Sequence, residues 1–173
     1  ENYRKIASFL YLGRLSTNSA RDIPTLIRAF DRLANQSSDV QLALVGDGDL
    51  YQETKSLVDQ TRHHTRILMP GLQQPEEWLN WAHCMVLPSL FEGLSNSLLE
   101  AMSYGLPIIA NDIPPNREVL DDGKAGILVP VGNEQRLYDE MLRLTNNPHF
   151  AFRMGANALK RVKERYAIEK VAE

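Results

Sequence analysis

Residues 87–110 read LPSLFEGLSNSLLEAMSYGLPIIA, and their order of segments decides the fold. The stretch opens on the end of a short apolar run, Cys84–Leu87, and passes through a Gly- and Ser-containing loop. It then enters a helical pattern over Ser97–Tyr104, stops at Gly105-Leu106-Pro107, and resumes as a second apolar run, Pro107–Ala110. Gly followed closely by Pro ends a helix. A strand, a helix and a second strand in that order form one βαβ unit. The apolar runs are short and nearly continuous, as expected of strands covered by helices on both faces.

The same alternation extends outward in both directions. Further strands are expected at Ala7–Leu12, Gln41–Val45, Thr65–Leu68 and Gly126–Val129. The intervening helices are expected at Asp22–Asn35, Leu50–His63, Pro75–Ala82, Pro115–Leu120, Asn133–Thr145 and Pro148–Arg165. In the first of these, Ile23, Leu26, Ile27, Phe30 and Leu33 recur at helical spacing, and Pro75 suits a first helical turn. The expected fold class is α/β: a Rossmann-like, doubly wound parallel sheet of about six strands, with residues 1–173 forming one domain.

Composition narrows the function. The chain has 173 residues, 43% of them hydrophobic and 24% charged, with a formal net charge of −3. A nucleic-acid-binding domain would carry a basic stripe, and none is present. The basic run Leu159–Tyr166 intersperses Lys160, Arg161, Lys163 and Arg165 with Glu164 and reads as a solvated helix face. The one cysteine, Cys84, lies inside an apolar run, so there is no disulfide framework and a cytoplasmic, reducing compartment is expected. No apolar run approaches the roughly 20 residues that span a bilayer; contact with the inner face of a membrane is expected to be peripheral if it occurs, and to come from residues outside this chain. The chain starts at Glu1 rather than Met and ends within a charged helical pattern, so a piece of a longer protein is expected.

Doubly wound sheets bind ligands outside the carboxyl ends of their strands. Three segments fall there: Gly13-Arg14, Gly46-Asp47-Gly48 and Pro88–Asn96. Within the last, Glu92 and Glu100 would stand roughly 80° apart on a single helix. Gly93 and the Ser95-Asn96-Ser97 cluster argue instead for a loop leading into a helix. The amides of Gly93, Leu94, Ser95 and Asn96 would then lie at a helix start, where unpaired N–H groups favour anionic or oxygen-rich ligands. Glu100 could accept both hydroxyls of a vicinal diol, or it could complete a capping box with Ser97, leaving Glu92 a solvated loop acid. Arg14 places a bidentate cation at the mouth of the crevice. Arg21 stands beside Asp22, the expected N-cap, and either arginine could equally pair with a surface acid. Asp47 and Asp49 could hold a divalent metal; a tight turn with Asp49 capping the next helix fits the same residues. His63, His64, His83 and His149 lack metal-ligand spacing, and His63-His64 would close a helix.

The ordered motifs resemble one family. Phe9–Leu15, DIPTLIRAF (22–30), LALVGDGDL (42–50), residues 67–110 and REVLDDGKAGILVPVGNEQRL (117–137) are similar, in that order, to the C-terminal, donor-binding half of retaining GT-B glycosyltransferases of group 1, family four. The resemblance implies transfer of a sugar from a UDP- or GDP-sugar, with no cofactor and no metal. It implies that Glu100 binds the ribose hydroxyls and that Glu92 faces the donor sugar near the reacting centre. It further implies that Arg14 holds the diphosphate leaving group, and that the amides of Gly93, Leu94, Ser95 and Asn96 meet sugar and pyrophosphate. Leu68 and Met69 would grip the base through backbone groups. The family places a lysine where Arg21 stands; Arg21 would take over its phosphate contact. Glu92 and Arg14 are then the candidate catalytic residues. The acceptor, a glycan or lipid-linked sugar, would bind mainly to an N-terminal domain outside this chain. Rival readings are a nucleotide-sugar epimerase, a glycan phosphorylase, or a non-catalytic nucleotide-sugar-binding module.

Overall fold

The computed structural model describes residues 3–166. In them six parallel strands form one sheet: β1 Ser8–Leu12, β2 Gln41–Val45, β3 Ile67–Gly71, β4 Cys84–Leu87, β5 Ile108–Asn111 and β6 Ile127–Val129. Their order is β3-β2-β1-β4-β5-β6. The helices are α1 Ile23–Gln36, α2 Tyr51–Asp59, α3 Pro75–Trp81, α4 Asn96–Ser103, α5 Pro114–Val119, α6 Glu134–Asn146 and α7 Pro148–Arg165. The expected α/β, Rossmann-like architecture is therefore present.

Side chains alternate across a strand, and the core divides accordingly. Phe9 and Tyr11 of β1 join Leu26, Phe30 and Leu33 of α1 and Met141 and Leu144 of α6 on one face. Leu10 and Leu12 join Leu79 of α3, Leu98 and Met102 of α4 and Val119 of α5 on the other. Phe30 is fully buried, and truncating such a side chain to Ala costs about 3–5 kcal/mol. Helix α7 ties the two layers together. Its Ala151 and Met154 belong to the first and its Ala158 and Val162 to the second. It passes the end of α4 so closely that a Cβ on Gly155 would stand 2.1 Å from the Gly105 carbonyl oxygen.

Helix α2 ends at Asp59, four residues short of the expected His63. The His63 backbone N–H and ring Nδ1 both meet Asp31 Oδ1 at 2.9 Å, docking this loop onto α1. Another histidine staples the start of β1 to the start of β4, in the middle of the sheet. His83 Nδ1 accepts the amide hydrogens of Ala7 (3.0 Å) and Ser8 (3.3 Å), which requires that nitrogen to be unprotonated. Burial, and then the nearby Arg4, lower the His83 pKa below its ordinary value. Cys84 is buried in β4, and burial pushes its thiol up, so it packs as a small apolar residue.

Candidate functional site

The strand order reverses between β1 and β4, and α1 and α4, which follow them, cover opposite faces. That switch point opens a crevice at the carboxyl ends of the strands. The two loops on its β1–β2 side are pressed together. Gly13 N–H donates to Val45 O (3.0 Å), Leu15 N–H to Asp47 O (3.1 Å) and Leu50 N–H to Leu15 O (2.9 Å). Only glycine fits at two points of this contact: a Cβ on Gly46 would lie 1.7 Å from Gly13 O, and one on Gly48 2.2 Å from Leu15 O. The buried Tyr11 hydroxyl donates to Arg14 O at 2.7 Å and fixes the loop from below. Burial pushes that phenol up to about 12, with Arg21 pulling the other way, so it remains a donor at neutral pH.

Asp49 does not cap the next helix. Helix α2 begins after Leu50 without a side-chain cap. The Asp49 carboxylate instead accepts the Thr17 hydroxyl (2.7 Å) and amide (3.0 Å), bonds that hold its pKa below the usual carboxylate range. It thus fastens the β1–α1 loop to the β2–α2 loop. Asp47 accepts its neighbour Gly48 N–H at 2.8 Å. Among the described residues, no three His, Cys, Asp or Glu side chains gather as metal ligands.

Helix α4 starts one residue before its expected range, and its cap lies two residues before Ser97. Its N-cap is Ser95, whose Oγ accepts Leu98 N–H at 3.3 Å. Ser97 lies inside the helix, and the expected Ser97–Glu100 capping box does not form. Glu100 is released from that role and stands one turn further along, exposed.

The β3 side also departs from expectation. Leu68 and Met69 lie within β3, not after it, and the Met69 carbonyl is taken by the Tyr51 hydroxyl at 2.7 Å. Between the pairs Ala43–Leu68 and Val45–Gly71 the register shifts, so Met69 and Pro70 together oppose Leu44 in a bulge. Because β3 is an edge strand, the missing N–H of Pro70 breaks no central ladder. The chain leaves the sheet at Gly71, and Leu72, 79% exposed, is the first residue over the crevice.

These segments enclose a cleft of about 550 Å³. Its walls include Gly13, Arg14 and Ser16 from the first loop, Gly46–Gly48 from the second, Leu72, Gln73 and Pro75 after β3, and Asn96, Ser97 and Glu100 of α4. Of the residues expected from sequence, Arg14, Asn96 and Glu100 line it, with Ser95 capping the helix that points its amides there. Gly93 and Leu94 line a neighbouring hollow with Pro114, Pro115 and Tyr166. Arg21 and Glu92 are not on the cleft wall; they form an ion pair with each other. The strand expected from the sequence ends at Leu68, and Leu72 and Gln73 belong to no motif that marks them as cleft residues.

The side chains of Arg14 and Glu100 have no hydrogen-bond or ion-pair partner among the described residues. A cleft offering a free guanidinium, a helix N-terminus and a free carboxylate is suited to a ligand with a phosphate group and a diol. None of the described helices is long and apolar enough to cross a membrane.

Known proteins are similar to this chain in sequence and in fold. The Salmonella typhimurium lipopolysaccharide 1,6-galactosyltransferase is 31% identical over 134 residues, covering 74% of this chain and 36% of that protein. The Streptomyces kanamyceticus alpha-D-kanosaminyltransferase is 26% identical over 162 residues, covering 92% of this chain and 42% of its own. The chain thus spans less than half the length of these curated relatives. In fold, 99% of it superposes with a TM-score of 0.90 and 22% identity on 35% of a Staphylococcus aureus TarM mutant, solved with fondaparinux, alpha-GlcNAc-glycerol and UDP. The family model described as glycosyl transferases group 1 matches residues 7–147. By that match and by the glycosyltransferase relatives, this chain belongs to the group 1 glycosyl transferases.

Proposed function

We propose that this chain is the donor-binding domain of a retaining glycosyltransferase, which moves a sugar from a UDP- or GDP-sugar to an acceptor. The observation that carries the reading is the convergence of Arg14, the N-terminus of α4 and Glu100, two of them with unengaged side chains, on one cleft at the switch point. In this reading Arg14 and the amides of Ser95 and Asn96 hold the diphosphate, and Glu100 accepts the ribose hydroxyls. The base lies against Leu72 and Gln73, which form the far wall. The amides of Gly93 and Leu94 and the Glu92 carboxylate serve the sugar. Arg14 stabilises the departing diphosphate, the largest electrostatic demand of such a transfer.

The reading needs no cofactor and no metal. Its support is the engagement of Asp49, one of the two carboxylates of the Asp47-Gly48-Asp49 turn, by two bonds from Thr17. The named relatives are transferases, which favours transfer over epimerisation or phosphorolysis. The presence of UDP in the TarM complex makes it the first nucleotide to titrate. The acceptor, a glycan or a lipid-linked sugar, binds mainly to a second domain outside this chain, a reading supported by the chain's share of its relatives' length. Polysaccharide or glycolipid synthesis in the cytoplasm, at most peripherally on the inner face of a membrane, completes the proposal. The lone, buried Cys84 supports a reducing compartment.

Calorimetric titration of the chain with UDP and with GDP tests the reading. Binding by at least one, with amide shifts at Asn96 and Glu100, is expected, and no sugar transfer by the chain alone. Absence of heat and of shifts at millimolar concentrations of both nucleotides overturns it.

A further inference from the structure

We propose that Arg21 is the positioning residue for Glu92 and leaves the diphosphate to Arg14. The inference rests on the donor-site reading above and divides labour within it. Arg14 and Glu100 are unengaged and line the cleft, whereas Arg21 and Glu92 are spent on each other, with side chains only 14% and 11% exposed.

The pairing is built from several sides. Arg21 Nη2 donates to Glu92 Oε1, and Arg21 Nη1 donates to Ser19 O at 2.8 Å. Its Nε is buried without an acceptor, so it is closed off from a ligand in the cleft. The backbone is clamped as well: Arg21 bridges antiparallel to Ser89, Asp22 N–H donates to Pro88 O and Leu90 N–H to Ala20 O, both at 2.8 Å. The second oxygen of Glu92 accepts the Ser89 hydroxyl at 2.6 Å. Ser89 is itself fixed from β5, for Asn111 Nδ2 donates to Ser89 O and Asn116 Nδ2 to Asn111 O, each at 2.9 Å. Arg21, Glu92, Ser89, Asn111 and Asn116 form one connected polar network across the ends of β4 and β5.

This network sets the aim of Glu92 before any ligand arrives. Were Arg21 to leave for a phosphate, it would strand a mostly buried carboxylate with one oxygen unpaired, an unfavourable exchange. The position also explains itself chemically. A planar guanidinium serves Ser19 O and Glu92 at once through separate nitrogens, which a single ammonium matches poorly.

The test is calorimetry on this chain with UDP, UDP-glucose and UDP-N-acetylglucosamine, for the wild type, Arg14→Ala, Arg21→Met, Arg21→Lys, Glu92→Gln and the Arg21→Met/Glu92→Gln double variant. Amide spectra first establish that each is folded. Arg14→Ala is expected to weaken UDP about tenfold or more, and Arg21→Met to change it less than about threefold. The affinity that the tighter UDP-sugar gains over UDP falls equally in Arg21→Met and Glu92→Gln and no further in the double variant, the mark of two residues acting as one. Arg21→Lys keeps UDP affinity but does not restore the sugar increment. Loss of UDP binding in Arg21→Met to the level of Arg14→Ala, recovered in Arg21→Lys, overturns the proposal and leaves the donor site standing. A wild-type chain that binds neither UDP nor GDP overturns both together.

Discussion

Replacing Gly46 with Ala should loosen the whole β1–β2 side of the cleft. The added Cβ would stand 1.7 Å from Gly13 O, against ordinary contact at 3.4 Å or more, so the two loops must part by about half that ordinary separation. Such a displacement stretches three backbone bonds past useful length: Gly13 N–H to Val45 O, Leu15 N–H to Asp47 O and Leu50 N–H to Leu15 O. At about 0.5–1.5 kcal/mol net for each bond, they represent roughly 1.5–4.5 kcal/mol. The backbone at Gly46, with φ of +149°, adds strain for any side chain, on the order of 1 kcal/mol or more. We expect a loss of about 3–5 kcal/mol, a large part of the 5–15 kcal/mol of a typical domain. Urea unfolding followed by the fluorescence of Trp78 and Trp81 measures it, with the midpoint falling and the slope unchanged. UDP affinity should fall as well, since Arg14 rides on the displaced loop. Gly93→Ala is the control, because its Cβ meets nothing within 4 Å and its φ is not positive; it should stay within about 0.5 kcal/mol of wild type. A Gly46→Ala chain within about 1 kcal/mol of the wild type, binding UDP normally, would refute the close-approach argument.

Glu100→Ala should weaken UDP by about 1–3 kcal/mol, the scale of a charge-assisted hydrogen bond to the diol. Deoxyribose analogues should be affected far less, and equal losses for both would remove Glu100 from the ribose. His83 gives a pH dependence with a definite sign: its pKa is lowered in the fold, so the unfolded chain binds more protons as pH falls through about 6.5. Stability from this group is full above that pH and is lost below it; Tm measured from pH 7.5 to 5 should drop less in His83→Asn than in the wild type, and parallel curves would contradict the assignment. Gly155→Ala, whose Cβ would meet Gly105 O at 2.1 Å, should cost about 1–3 kcal/mol by overpacking the α4–α7 contact; an unchanged urea midpoint would show that the helices separate freely.

Much of the fold was legible because strands covered on both faces must be apolar over their buried length, as Leu42–Val45 and Cys84–Leu87 are. Amphipathic helices such as α1 must likewise repeat their apolar residues every three to four positions. Boundaries failed where a residue had two acceptable roles. Pro70-Gly71 is a fair turn signal, but on an edge strand a bulge admits it, and edge position depends on the sheet order. Ser95 and Ser97 are both competent N-caps, and the choice between them decides whether Glu100 is spent on the helix or left for a ligand. Asp49 was a reasonable cap by spacing until Thr17, thirty-two residues earlier, presented two donors to it.

The sequence by itself determined the α/β class, the positions of the strands and most helices, and the gathering of Arg14, Asn96 and Glu100 at the carboxyl edge of the sheet. Those features rest on local periodicity and on the general rule for where such sheets bind. Only the tertiary structure decided which charges are free. Arg14 and Glu100 open onto a cleft unpaired, while Arg21 and Glu92, seventy-one residues apart, lock together. That distinction depends on the loops after β1 and β4 meeting through backbone bonds, and local sequence carries no record of such a meeting.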